Sequence, residues 1–417
     1  MITSAAFVAI MLVGVPIGLC LCLAGLVYIA ASGNPVLFQS YPLQLFGGVD
    51  SYGLIAIPLF ILIGERRHHA AHRRHGDGVR RLAQGRARLR NILANMFISS
   101  ILGSATAQVA IMAQIMVPEM EKKGYDKTFA AGLTAYGGML GPIIPPSVMF
   151  VVYSVLAQVS VSDMLIAGIV PGVILTVMFC LVIALMGYVY NYPRADYQTP
   201  RQRVMTILRT SPTLLIPIVI VGTILSGLAN ATESAAVGAV AAALVGKYWT
   251  KEFEFSQLPQ MMLRSAIYSA IVLFLVAAAA VFSWVLIFGK VPQETAGWIQ
   301  SAAKDPVSFM LICNVILLII GTVIDGIPGL IMTVPILLPV ATDVYHIDPR
   351  HFGVVVVINL VLGLLSPPVG LCFFVAAAVT GAKPGKMFMV TLPFFVISCV
   401  LLVLLSLYPS LSLILIK

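Results

Sequence analysis

Apolar runs long enough to cross a lipid bilayer recur along the whole sequence. A membrane-spanning helix needs about 20 predominantly apolar residues, and several of the runs are longer. Because 60% of the 417 residues are apolar and only 10% are charged, with a mean hydropathy of +1.01, the chain cannot present a soluble surface. The sequence therefore predicts an all-α polytopic membrane protein and excludes collagen-like, disulfide-scaffold and disordered classes.

The first predicted membrane segment begins directly after Met1. It lacks a positively charged leader region and a cleavage pattern, so we expect a spanning helix in preference to a removable signal peptide. All six cysteines lie inside apolar runs, where they behave as small hydrophobic residues and predict neither disulfides nor a zinc site. The apolar segments are 2–31, 41–64, 92–118, 128–158, 163–190, 213–229, 232–247, 265–289, 306–342, 352–380 and 387–416.

Basic charge is concentrated in one block, residues 65–91. This block holds nine arginines, four of the six histidines and two acidic residues, and it carries +7 of the formal charge of +9. The remaining 390 residues hold sixteen basic and fourteen acidic residues. Since the basicity is local, it does not indicate a nucleic-acid partner. We interpret the block as a cytoplasmic segment that touches anionic lipid of the bilayer.

The loops between the segments fall into two groups by their basic residues, which mark the cytoplasmic side. The basic loops, placed in the cytoplasm, are 119–127, 192–211 and 247–264. The loops with few or balanced charges, placed outside, are 32–51, 157–163, 229–232, 290–305 and 343–351.

Two segments join loops on the same side and therefore cannot be single crossings. Segment 92–118 enters from the cytoplasm and returns, and segment 306–342 enters from outside and returns. We predict that both are re-entrant hairpins of opposite orientation, with small or polar residues near their tips. Irregular backbone at membrane depth is tolerated only where it is packed in protein or lines a water-filled cavity.

Each predicted hairpin precedes an apolar segment that is rich in Gly and Pro at its centre, at 141–147 and at 363–370. Proline inside a helix removes a hydrogen bond and clashes with the preceding turn, so two broken helices are expected. The two breaks belong to an internal repeat at an offset of 222 residues. The matched pairs are Asp126 and Asp348, Gly141 and Gly363, Pro145 and Pro367, Pro146 and Pro368, and Pro171 and Pro393.

Charge parity makes the two copies inverted, and inverted repeats with matching broken helices are typical of a secondary transporter with its site near the bilayer midplane. The predicted organisation has five parts. They are N-terminal membrane helices 1–64, the basic block 65–91, a first repeat 92–190, central helices 191–305 and a second repeat 306–417.

Half-helices that end inside the membrane expose carbonyl groups at one end and N–H groups at the other. Carbonyl and hydroxyl oxygens suit a sodium ion, and helix N-termini suit a carboxylate. We therefore predict a pair of pseudo-symmetric cation or substrate sites, with plain helix kinking as the alternative role for their glycines and prolines. The first comprises Gly103, Ser104, Thr106, Gly141, Pro142, Pro145 and Pro146; the second comprises Asp325, Gly326, Gly363, Ser366, Pro367 and Pro368.

Three further features have competing interpretations. Asp325 is the one charged residue of segment 306–342; it either takes part in ion coupling or makes a turn and caps a half-helix at a wet hairpin tip. Glu233 follows Asn230 and Thr232 at a helix start, where a capping role is favoured over ligand binding. The histidines at 68, 69, 72 and 75 have helical spacing, but the surrounding arginines disfavour a divalent metal.

Seven short motifs resemble the large permease (M) subunit of the tripartite ATP-independent periplasmic (TRAP) transporters. The likeness runs nearly end to end. The motifs are IPLFILIGE from Ile57, GSA from Gly103, GPIIPPS from Gly141, AGIVPG from Ala167, TE at Thr232, GTVID from Gly321 and SPPVG from Ser366.

This resemblance implies an elevator-type secondary transporter of the bacterial inner membrane, in which the hairpins and broken helices form a mobile unit on a scaffold. It implies sodium as the coupling ion, no other cofactor and no enzymatic activity. The implied partners are a small four-helix membrane subunit and a soluble periplasmic substrate-binding protein that delivers an organic anion, a carboxylate such as a C4-dicarboxylate or sugar acid.

The basic block departs from the family pattern, which resumes near Asn91. Its length is right but its composition is not, as a local frame error in the coding sequence would produce. Two alternative functions were weighed against the permease subunit. A self-sufficient anion/sodium symporter would work without a binding protein, and a membrane-embedded metal hydrolase would use the histidines of the block.

Overall fold

The computed structural model describes residues 7, 9–11, 13–34, 36–63, 91–92, 95–96, 104–189, 215–249, 256 and 258–416. Gly103, the histidine cluster and residues 65–90 of the basic block lie outside this set, so the predictions that concern them stay predictions. All regular structure in the described residues is helical. The helices are α1 Ile17–Ser32, α2 Val36–Val49, α3 56–63, α4 Ala105–Glu121, α5 Lys127–Gly138, α6 Val148–Ala157, α7 Val161–Ala167, α8 Ile169–Val189, α9 Leu215–Leu225, α10 Ala231–Leu244, α11 Leu258–Phe288, α12 Val291–Ala302, α13 Pro306–Val323, α14 Gly326–Pro339, α15 Pro349–Gly363, α16 Leu371–Thr380, α17 Pro384–Val390, α18 Leu392–Leu407 and α19 Ser410–Leu413.

Four helical stretches in the described part of the chain are long and apolar enough to cross a membrane. Two more pairs qualify if each is counted as one bent span, with bends of 55° between α2 and the helix that follows it and 66° between α17 and α18. Large apolar side chains are exposed on many of these helices, as lipid contact requires. The all-helical membrane fold predicted from hydropathy is thus confirmed.

The internal repeat is visible in the order of the helices. Helices α4 to α8 and α14 to α18 form two matching series whose members start between 221 and 223 residues apart. The second helix of each series begins at a capping aspartate: the Asp126 side chain accepts a hydrogen bond from the N–H of Phe129, and that of Asp348 accepts one from the N–H of Arg350. The offset seen in the sequence therefore marks equivalent structural positions.

The second hairpin returns to the side from which it entered. The ring of Phe309, near the start of α13, stacks on that of Tyr345, which follows the end of α14, with centroids 4.5 Å apart. The Tyr345 hydroxyl also donates a hydrogen bond of 2.8 Å to the carbonyl of Ala303, just before α13. Two helices joined at Asp325 whose far ends meet in this way form an antiparallel hairpin, as predicted for this segment.

The first hairpin shows the same arrangement where it is described. Asn91 lies at the start of the first arm, and its side-chain amide donates hydrogen bonds to Thr134 on α5 and to the sulfur of Met120 near the end of α4. The Gln108 side chain, near the start of α4, reaches Asn95 one turn after Asn91. The two arms therefore run antiparallel.

Each hairpin packs against the broken helix of the other repeat. Helix α4 contacts α16, and α14 contacts α6. An aromatic cluster seals this interface: the ring of Tyr136 on α5 has centroid distances of 5.9 Å to Phe373 on α16 and 5.6 Å to Phe394 on α18. The two repeats thus share one core, and the hairpin tips are brought together at its centre.

Two predicted loops are mostly helical. Residues 290–305 were expected outside as a loop, but α12 occupies most of them. Residues 32–51 were also expected outside as a loop, but α2 occupies most of this range. The helix forms because it packs along α11: an added side-chain carbon at Gly48 would lie 3.2 Å from the Cα of Ala277. The few polar residues in this range suggested a loop on hydropathy grounds. Packing against α11 outweighs that local preference and makes the range helical.

Candidate functional site

A cavity of about 540 Å³ lies where the two hairpin tips meet. Five of the predicted site residues line it: Ser104, Thr106, Pro142, Asp325 and Gly326. Helix α11 contributes Tyr268, Ile271 and Val272 to the lining. The cavity has the size of a typical small-molecule site, which is about 300–1,000 Å³.

Two helix N-termini open into this cavity. Helix α4 follows Ser104 and α14 follows Asp325, and neither side chain makes a capping hydrogen bond to its helix. The Ser104 hydroxyl instead lies 3.3 Å from that of Thr106. The first N–H groups of a helix need partners, and the helix dipole makes this end attractive to an anion.

Asp325 is exposed to the cavity. Because its side chain does not cap α14, the capping role weighed in the sequence is not seen. Its carboxylate and the hydroxyls of Ser104 and Thr106 are hard oxygen atoms of the kind that bind small cations. The lining therefore combines groups for a cation with groups for an anion.

The break in the first repeat folds back on itself. Residues 139–147 separate α5 from α6, and the Ser147 hydroxyl donates a hydrogen bond to the Pro142 carbonyl while it accepts one from the N–H of Phe150. Pro145 and Pro146 are buried and joined by a cis peptide bond. Both prolines lie in the protein interior, and neither lines the cavity.

The break in the second repeat is more exposed. Ser366 is buried, and its hydroxyl donates to the Leu362 carbonyl at 3.0 Å, whereas Pro367 and Pro368 are exposed and joined by a cis peptide bond. None of the three lines the cavity described above; Leu364 is the residue of this break that does. The two predicted sites are therefore not equivalent.

Gly363 packs against the second hairpin. An added side-chain carbon at Gly363 would lie 2.5 Å from the Cα of Gly321 on α13. Real side-chain carbons do not come this close, so the crossing of α13 and α15 requires glycine at this point. This contact sets the position of the hairpin tip relative to the broken helix.

Gln108 is a residue of the site that sequence reasoning missed. It is fully buried, and its amide nitrogen donates to the backbone and side-chain oxygens of Asn95 at 2.9 and 3.1 Å. Its Oε1 atom has no hydrogen-bond partner among the described residues and lies 2.6 Å from the position of an added side-chain carbon on Gly141. The carbonyls of Gly138 and Ser104 are 3.3 and 3.5 Å from that same position.

This arrangement leaves a buried oxygen acceptor packed against the backbone of Gly141, with no hydrogen-bond partner among the described residues. A buried polar atom without a partner is costly, and a small cation bound to it would satisfy it. The sequence did contain a clue, because Gln108 is one of few polar residues in an apolar run. Only the contact with Gly141 in the folded structure distinguishes Gln108 from the other polar residues of that run.

Glu233 is a helix cap, as favoured from the sequence. Its N–H donates to the Asn230 side chain at 2.8 Å, and its carboxylate accepts from the Asn230 N–H at 2.9 Å. This reciprocal pair is a capping box. The described residues include no group of three or more His, Cys, Asp or Glu side chains placed to hold a metal ion.

Two hairpin tips meet at a mainly apolar cavity with a few polar groups, inside a helical membrane protein with an internal repeat; this arrangement is typical of a secondary transporter. Two solved structures share the fold. The YdaH transporter of Alcanivorax borkumensis matches with a TM-score of 0.66 at 14% identity, covering 91% of this chain and 89% of that one. MtrF of Neisseria gonorrhoeae matches with a TM-score of 0.59 at 14% identity, covering 91% and 85%.

The chain belongs to the DctM component family of the tripartite ATP-independent periplasmic transporters, whose profile matches residues 4–411. It is therefore a large permease component, a multi-pass protein of the bacterial inner membrane. The family resemblance noted in the sequence is confirmed.

Three curated relatives illustrate this membership. The C4-dicarboxylate TRAP transporter large permease protein DctM of Pseudomonas aeruginosa is 33% identical, covering 91% of this chain and 90% of the relative. The sialic acid large permease SiaM of Vibrio cholerae is 29% identical, covering 98% and 96%. The 2,3-diketo-L-gulonate large permease YiaN of Escherichia coli is 33% identical, covering 81% and 80%.

Proposed function

We propose that this permease imports an organic anion, a carboxylate, together with sodium ions. The observation that carries the proposal is the cavity in which both hairpin tips meet the first broken helix. The uncapped starts of α4 and α14 suit the carboxylate of the substrate. The oxygens of Ser104, Thr106, Asp325 and Gln108 suit sodium.

Sodium also solves an electrostatic problem. The described lining includes the carboxylate of Asp325 and no Lys, Arg or His side chain. A second carboxylate entering this space would be repelled unless a cation accompanied it. Coupled entry of sodium and anion follows, and the relatives named for C4-dicarboxylate, sialic acid and 2,3-diketo-L-gulonate support an organic acid as the cargo.

The hairpins and broken helices would move as one unit, in the elevator manner, past the N-terminal helices and α11. The shared aromatic core of the two repeats supports such a unit. A small four-helix membrane subunit would complete the scaffold, and a periplasmic binding protein would deliver the substrate. No enzymatic activity is proposed.

The coupling is tested in proteoliposomes that contain the permease and its partner subunits. Uptake driven by an inward sodium gradient is compared with uptake in choline, for the wild type and for Asp325→Ala and Ser104→Ala. Both variants should reach the membrane but lose sodium dependence, whereas Asp343→Ala, an exposed aspartate outside the cavity, should behave as wild type. Unchanged sodium dependence in both cavity variants would remove the site assignment.

The need for partners is tested by sequencing the gene and its neighbours. Adjacent genes for a four-helix membrane protein and a secreted binding protein would support the three-part system. A gene that stands alone would favour a self-sufficient anion/sodium symporter. The same reads decide whether another frame through codons 65 to 91 restores a family-like helix, which would remove the histidines that a metal hydrolase requires.

A further inference from the structure

One face of α11 contributes to the lining of the cavity in which the hairpin tips meet. Tyr268, Ile271 and Val272 all line the cavity, and their spacing of three and four residues places them on the same side of the helix. Ile271 and Val272 are apolar, so the Tyr268 hydroxyl is the one polar side-chain group that α11 contributes to the described lining.

This part of the lining is anchored in the N-terminal helices. Helix α11 packs along α1 and α2, and an added side-chain carbon at Gly18 would lie 2.7 Å from the ring of Phe274. The Ser265 hydroxyl, one turn before Tyr268, donates a hydrogen bond of 2.9 Å to the Pro58 carbonyl. Tyr268 therefore lies on a helix that is anchored in the N-terminal helices, although α11 also contacts α14 of the second hairpin.

The Tyr268 side chain is available to a ligand. The residue is 53% exposed, and its hydroxyl has no hydrogen bond to any described residue. A phenol both donates and accepts one hydrogen bond and is neutral at physiological pH. It can pair with a neutral hydroxyl or keto oxygen, whereas an apolar wall with a single neutral donor cannot compensate the desolvation of a full carboxylate.

We infer that Tyr268 positions the substrate by hydrogen bonding to a neutral oxygen at the end remote from its carboxylate, and so selects hydroxylated monocarboxylates over dicarboxylates. The inference rests on the proposed function and deepens it. The single carboxylate lies at the hairpin tips with sodium, the carbon chain lies against Ile271 and Val272, and the far hydroxyl or keto group meets Tyr268.

The test uses the full-length permease purified with its small membrane subunit. Thermal unfolding is followed with gluconate and N-acetylneuraminate as monocarboxylates and with succinate and fumarate as dicarboxylates, each as the sodium salt and as the choline salt. Tyr268→Phe removes only the hydroxyl. Tyr52→Phe is the matched control, because Tyr52 is 62% exposed and does not line the cavity.

At least one of the two monocarboxylates should raise the unfolding temperature in sodium more than either dicarboxylate. Tyr268→Phe should weaken the apparent affinity for it about fivefold, the effect of one neutral hydrogen bond, while Tyr52→Phe leaves it unchanged. The inference is overturned if a dicarboxylate gives the largest shift, if none of the four acids gives a shift, or if Tyr268→Phe binds as wild type.

The comparison of sodium salts with choline salts distinguishes a failure of this inference from a failure of the proposed function. If succinate gives the largest shift and that shift requires sodium, the role of Tyr268 is overturned while sodium-coupled anion transport stands. Stabilisation by gluconate in choline that Tyr268→Phe weakens would support the role of Tyr268 and remove the sodium coupling.

Discussion

The rings of Phe309 and Tyr345 stack with their centroids 4.5 Å apart, although they belong to opposite ends of the second hairpin. Helix α13 has 18 residues and so rises about 27 Å between its ends. The chain therefore travels most of the thickness of a bilayer core and returns to the same level. This contact shows that α13 and α14 run antiparallel as a hairpin, and the cavity that Asp325 shares with Ser104 places the tip of that hairpin inside the protein.

Removing the Tyr345 ring should open the base of this hairpin. Tyr345→Ala deletes a buried aromatic side chain, and we expect a loss of about 3–5 kcal/mol in stability. Tyr345→Phe keeps the stack and removes only the hydrogen bond to the Ala303 carbonyl, a loss of about 1 kcal/mol. Thermal unfolding of the two purified variants measures the ranking, and equal losses would contradict the stacking role.

Gln108 should govern the apparent affinity for sodium. Gln108→Leu removes the unpartnered oxygen, and because hydrogen bonds to charged groups contribute about 1.5–3 kcal/mol, we expect the sodium concentration for half-maximal uptake to rise about tenfold or more. Gln108→Glu keeps an oxygen there and should retain sodium activation. Gln114→Leu, at an exposed position on the same helix, is the control; an unchanged sodium response in Gln108→Leu would exclude this oxygen as a ligand.

Gly363→Ala should displace the second hairpin. The new methyl group would meet the backbone of Gly321 at 2.5 Å, so the helices must separate, at a cost of about 1–3 kcal/mol. Uptake should fall because the tip at Asp325 moves with α13. Gly385→Ala is a helical control with open space around it and should be neutral. Normal uptake and stability in Gly363→Ala would show that the crossing tolerates a side chain.

Arg350 should stabilise the predicted outer surface in a pH-dependent way. Its guanidinium lies 2.7 Å from the Asp348 carboxylate and 3.2 Å from the Asp163 carboxylate. The ion pair with Asp163 links the second repeat to the first. Burial raises the pKa of Asp348, but the hydrogen bonds and charge of Arg350 and the N–H of His351 outweigh burial and hold that pKa below its usual range. A depressed carboxyl pKa contributes stability above the unfolded pKa of about 4, which is lost as the pH falls through the folded value.

Arg350→Gln should therefore reduce stability at neutral pH by about 1 kcal/mol, a modest effect because the charges are partly exposed. The variant should also lose less further stability than the wild type below about pH 4. Lys304→Gln, at an exposed position without an ion pair to any residue that the structure describes, is the control. Unfolding at neutral pH and at about pH 3.5 gives both quantities, and identical curves for Arg350→Gln and wild type would show that the ion pairs contribute nothing.

Sequence reasoning succeeded where the signal is local. Apolar length predicts membrane helices, Gly and Pro at 141–147 and 363–370 predict breaks, and Asn230 with Glu233 predicts a cap; each depends on residues close in the chain. It failed at 32–51, where Gly48 lets α2 pack against α11. It passed over Gln108, whose unpartnered oxygen matters only because Gly141 lies beside it.

The sequence by itself determined that this protein spans a membrane, carries an inverted repeat and belongs to its family. Hydropathy, loop charge and motif spacing are properties of the sequence and need no three-dimensional structure. Only the tertiary structure decided which candidates share a cavity. It brought Ser104, Pro142 and Asp325 together, left Pro367 and Pro368 outside, and added Tyr268 from a distant helix. The physical reason is that a cavity is made by long-range packing between elements, whose partners no local pattern specifies.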